Sequence, residues 1–155
     1  MIIDKLKKTH IFSDLPLTQL EEIARICKLI TLDDGDIILQ ENDTRNFDIY
    51  LLIKGHLEVV SSATKSISDE AVICTQDDQG IFGEISWLTK RPRTATVRCN
   101  GTVELVCIDG TGLERYLENN NDAGYKIMRR LAIKISDNTR ETSNILKQLL
   151  WAAGL

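Results

Sequence analysis

The most informative stretch of the sequence is GIFGEISWLTKRPRTATV, residues 80–97. Its middle, Glu84 to Leu88, has the length of one or two helical turns between two predicted strands, so the first backbone amides of that helix lack a helical partner. Converging amides and the helix dipole favour an anion at such a point. Gly83 has no Cβ and lets a ligand approach the backbone closely, and the guanidinium of Arg93 can reach the same anion with two donors. The stretch therefore predicts an anion site.

Glu84 requires a separate explanation, because a carboxylate beside a bound phosphate repels it. An ionised carboxylate only accepts hydrogen bonds and therefore suits a sugar hydroxyl. A phosphate held by amides and Arg93, together with a ribose held by Glu84, describes a nucleotide monophosphate.

The sequence on both sides of this stretch predicts a β-rich fold with flanking helices. Residues 1–27 read as two helices separated near Pro16, and Thr18-Gln19-Leu20-Glu21 has the form of a capping box. From residue 28 to 109, short apolar runs alternate with turn signals, among them Lys54-Gly55-His56 and Asn100-Gly101, which favours an antiparallel barrel or jelly roll. The runs are Leu29–Leu32, Ile37–Leu39, Ile49–Ile53, Leu57–Val60, Ala71–Cys74, Thr94–Cys99 and Val103–Ile108.

Beyond Gly112 the pattern becomes helical. Residues recur at alternating steps of three and four, as in the a/d seam of a heptad repeat; they are Met128, Leu131, Ile135, Asn138, Thr142, Ile145 and Leu149. Such a seam packs either on the chain's own barrel or on a second chain. A homodimer is the favoured interpretation, because polar residues at seam positions fix the register of a coiled coil. The apolar tail, Trp151 to Leu155, either docks on an unidentified protein partner or packs as a frayed end on its own dimer.

Composition limits the classes of function that remain. A chain of 155 residues and 17.5 kDa has the length of one domain, here residues 1–155. Its 23 acidic and 19 basic residues give a net charge of −4, which argues against binding DNA through bulk positive charge. The longest apolar run, Ile49–Ile53, is far too short to span a membrane, and the N-terminus lacks the layout of a signal peptide. We therefore expect a cytoplasmic protein.

The sequence offers few residues that could bind a metal ion. The four cysteines never fall into C-x-x-C spacing and there are only two histidines, so neither a zinc site nor an iron–sulfur cluster nor a cupin-type metal centre is indicated. We expect no cofactor, and free thiols that are buried or half-buried, as in a reducing compartment.

Residues 82–97 resemble the phosphate-binding cassette of cyclic nucleotide-binding domains, whose pattern is roughly F-G-E-[IL]-[AS]-x-L-x-x-x-P-R-x-A-[TS]-V. The segments Ile11–Leu15, Gly35–Ile38 and Asp48–Gly55 are similar to the same family. The resemblance implies N-terminal helices over 1–27, an eight-stranded antiparallel jelly-roll β-barrel over 28–109, and a B and a long C helix over 110–150. Asn42 stands where the family commonly has glycine, and asparagine tolerates positive φ.

Position by position, the resemblance implies a set of ligand contacts. Gly83, Glu84 and Ile85 would supply backbone donors, Glu84 the acceptor for the 2′-hydroxyl, Arg93 the counter-charge of the cyclic phosphate, and Thr94 a hydroxyl. Ser86 and Ala95 complete the predicted cassette site.

The base of the ligand is indicated less directly. Aligning the C helix through residues 128–131 places Thr142 and Ser143 where the catabolite activator family has a Thr-Ser pair, of which the threonine contacts adenine and the serine comes from the partner chain. This favours cAMP. A threonine directly after the cassette arginine, here Thr94, often accompanies cGMP recognition in the family, so cGMP remains open.

The resulting hypothesis is a stand-alone sensor without catalytic activity. A cyclic nucleotide would order the cassette and move the C-terminal helices, which would signal to a partner protein. No DNA-reading segment follows in the sequence, so we expect no direct DNA binding; a fragment of a former transcription factor is a further interpretation. Two alternatives remain: a fold that has lost its ligand and acts as a dimerisation unit, and a sensor of cyclic dinucleotides.

Overall fold

The computed structural model describes residues 1–61, 71–77 and 80–155, except for the side chains of 61 and 71–77. Five helices and six strands follow one another along the described residues. They are α1 (Ile2–Lys8), α2 (Leu17–Ala24), β1 (Cys27–Leu32), β2 (Ile37–Leu39), β3 (Ile49–Ser61), β4 (Ala71–Asp77), β5 (Ile81–Phe82), α3 (Glu84–Thr89), β6 (Thr96–Ile108), α4 (Gly110–Asn119) and α5 (Asn121–Ala152).

The strands form one antiparallel sheet in the order β1-β6-β3-β4, with β2 paired to β6 and β5 paired to β3. This confirms the prediction of a mainly β fold with flanking helices. The described residues form six strands on an open path, and the expected closed barrel of eight is not confirmed.

Two predicted turns, at 54–56 and 100–101, lie inside β3 and β6, where the register shifts near Lys54 and where Gly55 and Gly101 adopt φ of 103° and 78°. Glycine at positive φ bends these strands without ending them.

The two N-terminal helices are confirmed, but the capping box is wrong. Helix α2 begins at Leu17, its N-cap is Pro16, and no side chain caps it. Proline presets φ near −65° and has no N–H to satisfy. Thr18 therefore lies inside the first turn instead of at the cap.

The apolar runs of the sequence pack on both faces of the sheet. In β3, Ile49 and Leu51 belong to a cluster that joins the helices to the sheet, while Tyr50 and Leu52 belong to a cluster on its other face. Because successive side chains of a strand point to opposite faces, a continuous apolar run is what a strand buried on both sides requires.

Among the described residues, helix α5 packs on the core through its first turns. Its buried residues are Ala123, Ile127 and Leu131, and the side chains from 136 onward are exposed. The seam predicted over residues 128–149 therefore packs on the chain's own core at its beginning and has no partner among the described residues further along.

None of the helices in the described part of the chain combines the length and the apolar character that a membrane span requires.

The C-terminal tail is an ordered helix stop and not a frayed end. Gly154 has φ 76°, its amide donates to the carbonyl of Trp151 (3.1 Å), and the amide of Leu155 donates to the carbonyl of Leu150 (2.9 Å). This is the hydrogen-bond pattern of a Schellman motif.

Three cysteines confirm the prediction of free thiols: Cys27 and Cys99 are buried and Cys107 is half-buried. Burial raises the pKa of the Cys27 thiol to about 12 and those of the other two to about 11. The side chain of Cys74 lies outside the described residues.

Candidate functional site

The cassette begins where the short strand β5 pairs with β3, through Tyr50 opposite Phe82. The next residue, Gly83, has φ 83° and precedes helix α3. A Cβ at Gly83 would lie 2.9 Å from both a guanidinium nitrogen of Arg93 and the carbonyl oxygen of Asp48. Only glycine combines this backbone angle with this close approach.

Arg93 is held in the core of the cassette. Its side chain donates to the carbonyl oxygens of Gly83 and Asp48, both at 2.9 Å, and only 3% of the residue is exposed. Its backbone pairs with the turn that contains Asn42 and Asp43: the Asn42 amide donates to the Arg93 carbonyl (2.9 Å), and the Arg93 amide donates to the Asp43 carbonyl (3.0 Å). Asn42 has φ 67°, which confirms that asparagine adopts a positive φ at this turn.

The charge of Arg93 is not neutralised within the described residues. It forms hydrogen bonds to carbonyls but no ion pair with a described carboxylate, and its buried Nε has no hydrogen-bond partner. Burial lowers the pKa of the guanidinium, while electrostatic interactions with Tyr50, Asp48, Asp43 and Glu84 act in the opposite direction. A buried cation without an anion is costly, so the arrangement is suited to an anionic ligand.

Glu84, the first residue of α3, is the second buried charge of the site. It is 5% exposed, and its Oε1 accepts a hydrogen bond from Nζ of Lys134 in α5 at 2.6 Å. This ion pair connects the cassette directly to the long helix. The sequence does not predict the role of Lys134, because a lysine on a helix is usually solvated and nothing local marks it otherwise.

The predicted cassette residues line a common cavity of about 270 Å³. Its lining contains Gly83, Glu84, Ile85, Ser86, Arg93, Thr94 and Ala95. Helix α5 adds Lys134 and Asn138 to the wall. The hydroxyl of Ser86 is used within the cassette, since it donates to the carbonyl of Pro92 at 3.4 Å.

Thr142 and Ser143 line a neighbouring cavity of about 250 Å³ together with Glu84 and Ile85. Asn138 borders both cavities. The hydroxyl of Thr142 donates to the backbone carbonyl of Asn138 at 2.9 Å, so its hydrogen is already used inside the helix. Positions 138 and 142 lie on the same helix face, one turn apart; the structure places 138, and not 142, at the cassette cavity.

The start of α4 is attached to the site from two sides. The carboxylate of Asp48 accepts from the amide of Gly110 (3.0 Å), and the indole Nε1 of Trp87 donates to the Gly110 carbonyl (2.8 Å). A Cβ at Gly110 would lie 2.3 Å from the carbonyl oxygen of Phe47. Trp87 is 3% exposed and belongs to the hydrophobic core. The cassette and the start of α4 are therefore connected directly by hydrogen bonds.

Known proteins are similar in sequence to this chain over most of its length. A cyclic nucleotide-gated cation channel of Drosophila melanogaster is 29% identical over 134 residues, 83% of this chain and 19% of that protein. The cAMP-dependent protein kinase regulatory subunit of Dictyostelium discoideum is 27% identical over 105 residues, 67% of this chain and 32% of that protein. This chain thus spans less than two thirds of the length of these relatives.

A solved cyclic nucleotide-binding domain from Methylobacillus flagellatus KT has the same fold, with a TM-score of 0.78 at 21% identity over 95% of this chain and 82% of that one. The family model for the cyclic nucleotide-binding domain matches residues 29–120, which is more than half of the chain. The protein therefore belongs to the cyclic nucleotide-binding domain family.

Proposed function

We propose that this chain is a non-catalytic sensor that binds a 3′,5′-cyclic nucleotide, cAMP in preference to cGMP, in the cassette cavity. The observation that carries the proposal is Arg93, a buried guanidinium that lacks a carboxylate partner among the described residues and lines a cavity of about 270 Å³. The Dictyostelium relative, a regulatory subunit of a cAMP-dependent kinase, supports this choice of ligand.

The two buried charged residues bind different parts of the ligand. The cyclic phosphate lies against Arg93, whose unpaired Nε and whose charge it satisfies. The ribose 2′-hydroxyl donates to Glu84, since an ionised carboxylate only accepts. Lys134 orients that carboxylate without occupying all of its acceptor sites.

Asn138 faces the base in this arrangement. Its side chain lines the cavity and forms no hydrogen bond with any described residue. An amide offers both donors and an acceptor, which matches adenine at either exposed edge, whereas guanine presents two acceptors at N7 and O6 and matches only at its Watson–Crick edge. Asn138 therefore supports cAMP over cGMP.

Signal transmission follows from where the ligand touches the protein. A nucleotide between the cassette and α5 binds with an affinity that depends on the position of α5, and this difference is what can shift the helix. The cassette also acts on α4 through Gly110. We further propose that α5 pairs with α5 of a second chain along its seam, where Ile145 and Leu149 are 58% and 63% exposed, and that this helix pair contacts a partner protein.

The first experiment is calorimetric titration of the purified chain with cAMP, cGMP and cyclic dinucleotides. We expect saturable binding of cAMP at one site per chain and weaker binding of cGMP. The absence of heat with every ligand would instead support a vacant fold, and binding of a cyclic dinucleotide alone would assign the site to that class.

The base preference is tested at Asn138. Asn138→Ala is expected to bring the cAMP and cGMP affinities together, because the discriminating amide is removed. Asn138→Asp is expected to reverse the preference, because a carboxylate accepts from both N1–H and N2–H of guanine and repels the acceptors of adenine. Unchanged selectivity in both variants would contradict the role of Asn138.

A further inference from the structure

The last turns of α5 carry more exposed apolar surface than a two-chain seam uses. From Ile145 onward the large apolar residues are all substantially exposed; they are Ile145 (58%), Leu146 (56%), Leu149 (63%), Leu150 (42%), Trp151 (83%) and Leu155 (86%). The seam positions of the heptad account for Ile145 and Leu149 only. The other residues lie outside the seam positions.

Leu146 and Leu150 form a second row beside the seam. Each follows a seam residue by one position, which places it roughly 100° further around the helix. The amide of Leu155 donates to the carbonyl of Leu150, so the ordered helix stop holds the end of the chain at this row. A face that includes seam positions and one flank is typical of helices in a bundle, whereas a two-stranded coiled coil uses the narrower a/d stripe.

The charges of this segment favour further copies of the same chain as the occupant. Lys147 is the only charged side chain between residues 144 and 155, and it lies roughly 100° beyond Leu146, on the side away from the seam. An uncharged apolar face can pack against an identical face without like charges meeting. The seam itself is weak for two chains, because Asn138 and Thr142 occupy two of its positions and only Ile145 and Leu149 contribute large apolar side chains beyond them.

We propose that two α5 pairs associate through the rows formed by Leu146 and Leu150, so that four copies of this chain form a four-helix bundle over residues 145–152. The inference rests on the proposed α5 pairing and is independent of ligand binding. Residue 146 lies about 12 Å along the helix from Asn138, the last residue at the cassette cavity.

The test is the mass of the full chain by native mass spectrometry and sedimentation equilibrium over a wide concentration range. The wild type is expected to reach about 70 kDa, four copies of the 17.5 kDa chain. The double variant Leu146→Gln, Leu150→Gln is expected to stop at two copies, Ile145→Asp to dissociate further, and the exposed control Lys147→Gln to behave as wild type. Circular dichroism checks that each variant keeps its helix content.

Two results would overturn the bundle: a wild type that never exceeds two copies, or a double variant that still forms four. Calorimetry on the same samples keeps the proposals separate, because cAMP binding by the double variant is expected to equal that of wild type. A wild type of at most two copies that still binds cAMP therefore refutes only this inference, and absence of cAMP binding in a four-copy protein refutes only the proposed ligand.

Discussion

Replacement of Arg93 by alanine is the most direct perturbation of the site. A guanidinium and a phosphate in contact, about 4 Å between charges, attract by about 4 kcal/mol at an effective dielectric constant near 20. Truncation of one partner of such a buried, hydrogen-bonded pair costs about 2–5 kcal/mol. Arg93 is 3% exposed, so we expect a loss in this range, which is roughly 30- to 5,000-fold in the Kd for cAMP. Calorimetric titration measures it.

The structure also supplies the controls for this experiment. Arg93→Ala removes the guanidinium donors to the carbonyls of Gly83 and Asp48, so part of an affinity loss can arise from a loosened cassette. Urea unfolding of the unliganded variant measures that part. Arg93→Lys keeps the charge without the two-pronged geometry and is expected to bind with intermediate affinity. Arg91→Ala, an exposed arginine of the same cassette, is expected to leave the Kd unchanged.

The reasoning is refuted if Arg93→Ala binds cAMP within about threefold of wild type. A second refutation is an equal loss in Arg91→Ala, because that result would assign the effect to general positive charge near the site and not to the buried guanidinium.

The remaining predictions concern stability. Gly83→Ala forces a Cβ to 2.9 Å from the Arg93 side chain at φ 83° and is expected to cost about 1–3 kcal/mol in urea unfolding and to weaken cAMP binding. Gly110→Ala is expected to destabilise at least as much, because its Cβ would lie 2.3 Å from a backbone carbonyl oxygen. Lys134→Met leaves the buried carboxylate of Glu84 without its cation and is expected to cost about 1–3 kcal/mol of unfolding free energy. The cost is less than for a fully buried pair because the lysine is partly exposed. In a double-mutant cycle, adding Glu84→Gln should restore much of the lost stability. Burial raises the pKa of the Cys27 thiol to about 12 from 9.0, so this thiol stays protonated to a higher pH in the folded state than in the unfolded chain. The free energy of unfolding is therefore expected to fall as the pH rises above about 9. Cys27→Ala should reduce that decline when unfolding is measured at several alkaline pH values.

The cassette can be predicted because its residues are adjacent in the sequence and its turn chemistry is local. Gly83, Glu84 and Arg93 lie within eleven consecutive positions, and Asn42 satisfies a backbone requirement that is visible in the residue type itself. Each of these inferences depends on conformation within a few residues, which is where sequence patterns are most informative.

The features that the sequence does not reveal depend on tertiary packing. Lys134 acquires its role only when α5 lies over the cassette, and a helix pattern cannot distinguish Asn138 from Thr142, since both lie on one face a turn apart. Gly55 and Gly101 predict turns, but glycines at positive φ also occur inside bent strands that continue. The count of strands therefore differs although the sequence locates the apolar runs themselves.

The uneven anchoring of α5 makes this helix a lever. Its 32 residues span about 48 Å, but among the described residues its buried side chains end at Leu131 and its ion pair with the cassette is at Lys134, so the part beyond them follows the angle that is set near Asn120. A tilt of about 10° there would carry the far end through about 8 Å by the same geometry. By the same geometry the tilt moves Leu131, about 16 Å from Asn120, by about 3 Å, so a displacement near the buried end of the helix becomes about three times larger at the far end.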